Sequence, residues 1–275
     1  MNNNPSARNW NNNANRPGAA KPPAKGQEDL RAKYQLAPQP ANVKKIAGLA
    51  NGRESATMEE ITEIISTDSG VTQRLITLAY PRQTARIGAT VQMATARLGV
   101  NRVIVVMVGD MLTKAVVETF DTMLGMKLEI ADPATIAPAE HGYLIGTVRF
   151  KGESNGQVTL AFSPHLSLVL ATTLLGCDLD AEQSPETIND TIGELVNIVT
   201  GNLQSKLCDA QLSSEVGIPE VKFEDVLPKE EVPGGSFDQF FFRSGMHTLV
   251  VNLSIDPSKP KAPMTKGNTW RANGA

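Results

Sequence analysis

The apolar pattern of this chain changes character once. The signals from residue 36 to 112 are helical apart from one ambiguous run, and from about residue 115 to 255 strand-like and helical segments alternate. That order restricts the chain to an all-helical segment followed by an α+β domain, an antiparallel sheet covered by long helices. Neither end contributes. Residues 1–33 are rich in Asn and then in Pro, Ala and Lys, and residues 256–275 set Pro257, Pro260 and Pro263 among lysines and glycines. Such stretches bury too little apolar surface to offset the entropy of ordering, so both read as disordered tails. The expected division is therefore a tail at 1–33, a helical domain at 34–114, a mixed domain at 115–255 and a tail at 256–275.

In the helical stretch, Pro38 and Pro40 precede Val43, Ile46, Ala47, Leu49 and Ala50. Thr57-Met-Glu-Glu60 has the form of a capping box ahead of an apolar stripe of Ile61, Ile64 and Ile65. Asp68 is placed to cap a helix through Val71, Leu75 and Ala79 that Pro81 ends. Another carries Val91, Ala94 and Leu98, with Gly99 at its C-terminus. The run 103–108 fits a strand or a buried helix, because a short β-branched run does not separate the two. A new helix starts near Ala115, carries Val116, Val117, Phe120, Met123 and Leu124, and stops at Gly125. Strands are expected at 127–131, 142–150 and 157–162, the last two joined as a hairpin by residues 152–156. Pro164 opens a helix closed by Gly176; Ser184 caps a longer one, with Pro185 at its first position, that runs to about Leu207. Strands at 239–243 and 247–255 bracket Ser244-Gly245.

The formal net charge of −3 conceals a partition. The tails carry +4 and +3 and residues 34–114 carry +3, whereas residues 115–255 hold seven basic and twenty acidic groups, or −13. A domain of that sign repels nucleic acid and anionic lipid and attracts a cationic protein surface. The densest apolar run, 103–108, is six residues long, against the roughly 20 that span a bilayer, so no membrane insertion is expected. The first thirty residues lack the apolar stretch of an export signal, so a cytoplasmic location is expected. Cys177 and Cys208 have no metal or redox spacing and read as reduced, packed thiols. His141, His165 and His247 are scattered, so no metal site is expected. Dinucleotide, P-loop and nucleophile-elbow motifs are absent.

The chemistry concentrates in the helix that starts at Ser184. With Asp190 at zero, Glu194 falls at about 40°, Asn197 at about −20° and Gly201 at about 20°. Ile188, Ile192, Leu195, Val199 and Leu203 form the opposite, core-facing stripe. Gly193 and Gly201 are expected to keep the polar face low enough for a partner's backbone. Glu194 can pair with a cation, and Asn197 offers one acceptor and two donors without titrating. Asn cannot act as a base, but it can hold a water in line with phosphorus, and phosphoryl transfer is catalysed largely by positioning. The Glu-x-x-Asn spacing is not diagnostic alone, since Glu186-x-x-Asn189 in the same helix also has it.

The segment Asp190-Thr-Ile-Gly-Glu194-Leu-Val-Asn197, followed by Pro219 with 21 residues between, resembles the signature helix of the CheX/CheC chemotaxis phosphatase family. Phe120-x-x-Met123-Leu124-Gly125 resembles the family's first helix, so the likeness covers 115–255. It implies dephosphorylation of a phosphorylated CheY-like receiver, with Asn197 orienting the hydrolytic water and Glu194 pairing with a receiver lysine. Asp190, Gly193 and Gly201 would support the site. The protein would carry no cofactor of its own, the receiver supplying Mg²⁺. Two-site relatives repeat Glu-x-x-Asn in the first helix; Glu118-x-x-Asp121 lacks the amide, which implies one site. Relatives with one active helix commonly pair through their sheets, so a homodimer is expected, with 240–242 as candidate contact. An adaptor that binds a receiver through the same face without hydrolysis is the alternative. Upstream, Leu36-Ala-Pro-Gln-Pro40, Ile64-Ile-Ser-Thr-Asp68 and Ala94-Thr-Ala-Arg-Leu98-Gly99 resemble the N-terminal part of HDOD signalling domains. This implies a truncated module for protein contact in 34–114, a helix over 103–108 and, with no histidine there, no HD-type metal site.

Overall fold

Local signals place the first helices. In the computed structural model, which describes residues 38–50, 54–82, 88–178, 184–227 and 236–256, α1 is Pro40–Ala50, α2 Met58–Ser66, α3 Ser69–Ala79 and α4 Val91–Leu98. Both halves of the capping box form, Glu60 N–H to the Thr57 hydroxyl and Thr57 N–H to the Glu60 carboxylate. Asp68 and Thr90 accept from the amides of Val71 and Met93 at the starts of α3 and α4. The tails lie outside the described residues, apart from Asp256, which ends a strand.

Gly99, with φ 80°, turns the chain into α5, Val100–Leu124. The open reading of 103–108 resolves as helix, and its packing explains the ambiguity. Val103 to Thr113 is buried at every position, so no polar face marks a period. The helix also passes unbroken through residues 114 and 115, where a new helix and a domain boundary were expected. The change of pattern there marks where α5 emerges from between two layers, and one hydrophobic core joins residues on both sides of it.

Seven strands form one antiparallel sheet: β1 (Glu129–Ile130), β2 (Tyr143–Gly152), β3 (Asn155–Phe162), β4 (Ser214–Val216), β5 (Glu220–Glu224), β6 (Ser236–Ser244) and β7 (His247–Asp256). The order is β1-β6-β7-β3-β2, with β4 and β5 paired one after the other along the far side of β2. β4 and β5 are absent from the sequence reading, and the 127–131 strand shrinks to two residues. Helices α6 (Pro164–Leu175) and α7 (Pro185–Asp209) join α5 on the face formed by Leu144, Val148, Leu160, Phe162, Val251 and Leu253. Phe240 and Phe242 also point into this core, 5% and 0% exposed, which removes them as dimer contacts. Strand alternation sends Phe241 to the opposite face, onto a small cluster of Tyr143, Ile145, Ala161 and Val250. Cys177 and Cys208 are free, as expected, but exposed rather than packed.

A buried charge network ties the helical layer to the sheet. Arg74 of α3 bonds Asp110 of α5, reaches Asp238 of β6 at 2.5 Å, and lies 5.0 Å from the centre of the Phe240 ring. Arg102 completes it at 3.3 Å from Asp238. Breaking a buried pair by removing one partner typically costs about 3–5 kcal/mol, because a desolvated charge is left behind. Burial pushes Asp110 up from 3.8 to about 6, against the pull of Arg74 and with smaller upward contributions from Asp68 and Asp238.

Two predictions follow from this packing. A carboxyl with a raised folded pKa stabilises the fold most when protonated, and that contribution is lost as pH rises through about 6. In thermal melts from about pH 4 to about pH 8, the Tm of wild type minus that of Asp110→Asn should therefore fall through this window. A constant difference would show that Asp110 does not titrate there. At Gly146 of β2, an added Cβ would meet Val196 Cγ2 of α7 at 2.5 Å. Gly146→Ala should destabilise by about 1–3 kcal/mol in urea melts, and Val196→Ala on that background should recover part of the loss.

Candidate functional site

α7 is held on three sides. Ile188, Ile192, Leu195, Val196, Val199, Leu203 and Leu207 are buried beneath it. Its flank toward α5 carries two polar links, Asn202 Nδ2 to Thr119 Oγ1 at 2.8 Å and Lys206 Nζ to Glu118 Oε2 at 2.9 Å. On the other flank Pro219 and Val221 stand over Gly193, where an added Cβ would lie 3.7 Å and 3.4 Å from them. The helix can neither roll nor slide without breaking one of these contacts. Ser184 precedes it but makes no side-chain cap bond, its backbone at φ −129°, ψ 35°.

Asp190 and Glu194 are exposed and Asn197 is half-buried. They lie along one strip, Glu194 and Asn197 about 4.5 Å apart along the axis. Among the described residues none of the three has a hydrogen bond or ion-pair partner. A carboxylate and a carboxamide one turn apart are thus presented to solvent by a fixed helix, with their bonding capacity unspent. Gly201 extends the strip into open space. Gly193 does not: it is buried under Pro219 and Val221, at distances where an added Cβ would make ordinary van der Waals contacts. The wheel of one helix could not show this, because the cover comes from β5 and the turn before it. The signal that pointed to it was Pro219 itself.

The acids of α5 are occupied differently. Glu118 pairs with Lys206 and, at 3.8 Å, with Lys114, while Asp121 pairs with Lys127 at 2.6 Å. Their charges are used within the chain, and neither residue offers an amide. The scattered histidines are brought partly together, the rings of His165 and His247 lying 5.4 Å apart. Burial and the neighbouring His165 lower the pKa of His247. Among the described residues no group of three or more His, Cys, Asp or Glu side chains could hold a metal ion. No helix among them is long and apolar enough to cross a membrane.

A family model described as "Chemotaxis phosphatase CheX" matches residues 144–231. No curated protein matches the chain as a relative. Solved structures with which it shares a likeness include the chemotaxis protein CheX of Vibrio vulnificus, 19% identical over 54% of this chain and 95% of that one, with a TM-score of 0.45. A CheC-like superfamily protein of Shewanella sp. PV-4 is 22% identical over 54% of this chain and 96% of its own, TM-score 0.45. CheX in the CheX-CheY-BeF3-Mg²⁺ complex of Borrelia burgdorferi is 19% identical over 52% and 94%, TM-score 0.45. Residues 144–231, which contain Asp190, Glu194, Asn197 and Pro219, thus match the chemotaxis phosphatase CheX family.

Proposed function

We propose that this chain accelerates hydrolysis of the aspartyl phosphate of a CheY-like response regulator. The observation that carries the reading is the unpartnered Glu194/Asn197 pair on a locked helix inside the segment that matches the CheX family. In this scheme the receiver docks on the exposed strip of α7. The Asn197 carboxamide holds a water in line with the phosphorus; the water oxygen bonds to phosphorus as the bond from phosphorus to the receiver aspartate breaks, the aspartate leaves as carboxylate, and the water's protons depart with the released inorganic phosphate. Glu194 pairs with the receiver's lysine, which fixes the register of docking. Because Asn197 takes no proton, its contribution is positional, and the charge that develops on the phosphoryl oxygens is met by the receiver's own Mg²⁺ and lysine.

Cytoplasmic location and a homodimer belong to the same proposal, the latter checked by light scattering of the purified protein. The HDOD-like reading of 34–114 is retained within it as an adaptor module for protein contact. The excess of acidic groups in 115–255 supports a cationic partner surface.

The test follows decay of purified phospho-receivers from the same genome. Wild type should accelerate at least one of them, and Asn197→Ala should remove about 100-fold of that acceleration, as loss of one positioned hydrogen-bonding group does elsewhere. Asn197→Ala should still bind the same receiver loaded with BeF3⁻ and Mg²⁺. Binding without acceleration by wild type would make the protein an adaptor and not a phosphatase.

A further inference from the structure

Seven large apolar side chains are conspicuously exposed among the described residues, and three of them fall within nine residues of one another in the sequence: Ile218 at 88%, Phe223 at 55% and Val226 at 71%. This segment is the one that flanks the candidate site. Pro219 and Val221 rest on Gly193, one residue before Glu194 and one turn before Asn197. Phe223 follows Val221 by two along β5, so its ring lies on the same side of the strand as α7.

Ile218 is exposed without being loose. On one side the Gly217 N–H donates to the Arg149 carbonyl at 2.7 Å; on the other, Pro219 is seated on α7. Arg149 and Glu220 pair at 2.8 Å across the base of the same corner. The backbone therefore fixes a bare isoleucine beside the polar strip at both ends. A backbone held in this way has little loop entropy left to lose on binding, and the β-branched side chain is stiff at χ1, so the apolar area it buries converts to affinity with a reduced penalty.

We propose that Ile218 is a docking and specificity residue for the receiver that Glu194 and Asn197 act on. The inference rests on the phosphatase reading for the identity of its partner. Its occupant is a receiver surface with an apolar side chain next to the lysine that meets Glu194. The acidic strip recognises the cation, and the adjacent apolar corner selects among receivers that all carry one. Ile218 acts on binding and register, not on the reacting atoms.

The experiment uses the full chain with Ile218→Asp and Ile218→Leu. Each is assayed against phosphorylated CheY-like receivers from the same genome and, for binding, against those receivers loaded with BeF3⁻ and Mg²⁺. Ile218→Asp should raise KM about tenfold or more, equivalent to about 1.4 kcal/mol, with kcat within about twofold of wild type. Ile218→Leu should restore KM. Its exposure predicts that neither substitution changes the melting temperature. An unchanged KM in Ile218→Asp overturns the proposal, as does a fall in kcat at constant KM. A change in the self-association of the protein alone would also overturn it, by assigning the corner to a second copy. If wild type accelerates no receiver, the phosphatase reading fails separately. The docking inference then stands on whether BeF3⁻-loaded receivers bind wild type and lose affinity for Ile218→Asp, and it falls if they bind both equally or neither.

Discussion

The enclosure of α5 between two layers is the constraint on which the molecule depends. From Val103 to Thr113 this helix meets protein on every side, with the sheet below and α1, α3 and α4 around it. An enclosed helix has no solvent face on which to place a polar group, yet Asp110 sits in that stretch. It is tolerable there because Arg74 comes from one layer, and because Asp238 and Arg102 spread the charge toward β6. The hydrophobic term alone would let the helical layer slide over the sheet, since apolar burial is non-directional. A guanidinium shared between carboxylates on two different elements fixes the relative position.

The same logic recurs at lower cost where α5 meets α7. Asn202 with Thr119 and Lys206 with Glu118 are partly exposed contacts that set rotation more than they add stability. Together with Pro219 on the other flank, they decide which angular sector of α7 faces outward. The site is therefore a by-product of packing: once the buried stripe, Gly146 and Gly193 are satisfied, Glu194 and Asn197 have only one place to go.

How much of this was legible depends on whether a residue's surroundings come from its own element. The buried stripe of α7 and the caps at Thr57 and Asp68 could be read directly, because a half-exposed helix and a capping box carry their own period and spacing. The enclosed part of α5 could not, since a helix buried all round has no period to find. Strands β4 and β5 escaped because they are short and hold Glu215, Glu220, Lys222 and Glu224. Their existence is decided by the free side of β2. Gly193 was misplaced for a related reason, its neighbours Pro219 and Val221 belonging to a distant stretch of chain. Phe240-Phe-Phe242 mixes two faces of one strand, which alternation could have separated but composition could not.

An unbroken α5 also has a consequence for how such a chain can be assembled from parts. Two modules joined by a flexible linker tolerate insertions at the joint. Two modules sharing a helix are held in a fixed phase, because each inserted residue turns one against the other by about 100° and moves it about 1.5 Å. One added residue near Lys114 would swing Arg74 and Arg102 away from Asp238 while leaving every local propensity intact. The joint behaves less like a hinge than like a keyed shaft. Insertions close to whole helical turns would restore the phase, yet would still move the two ends apart by about 5.4 Å per turn.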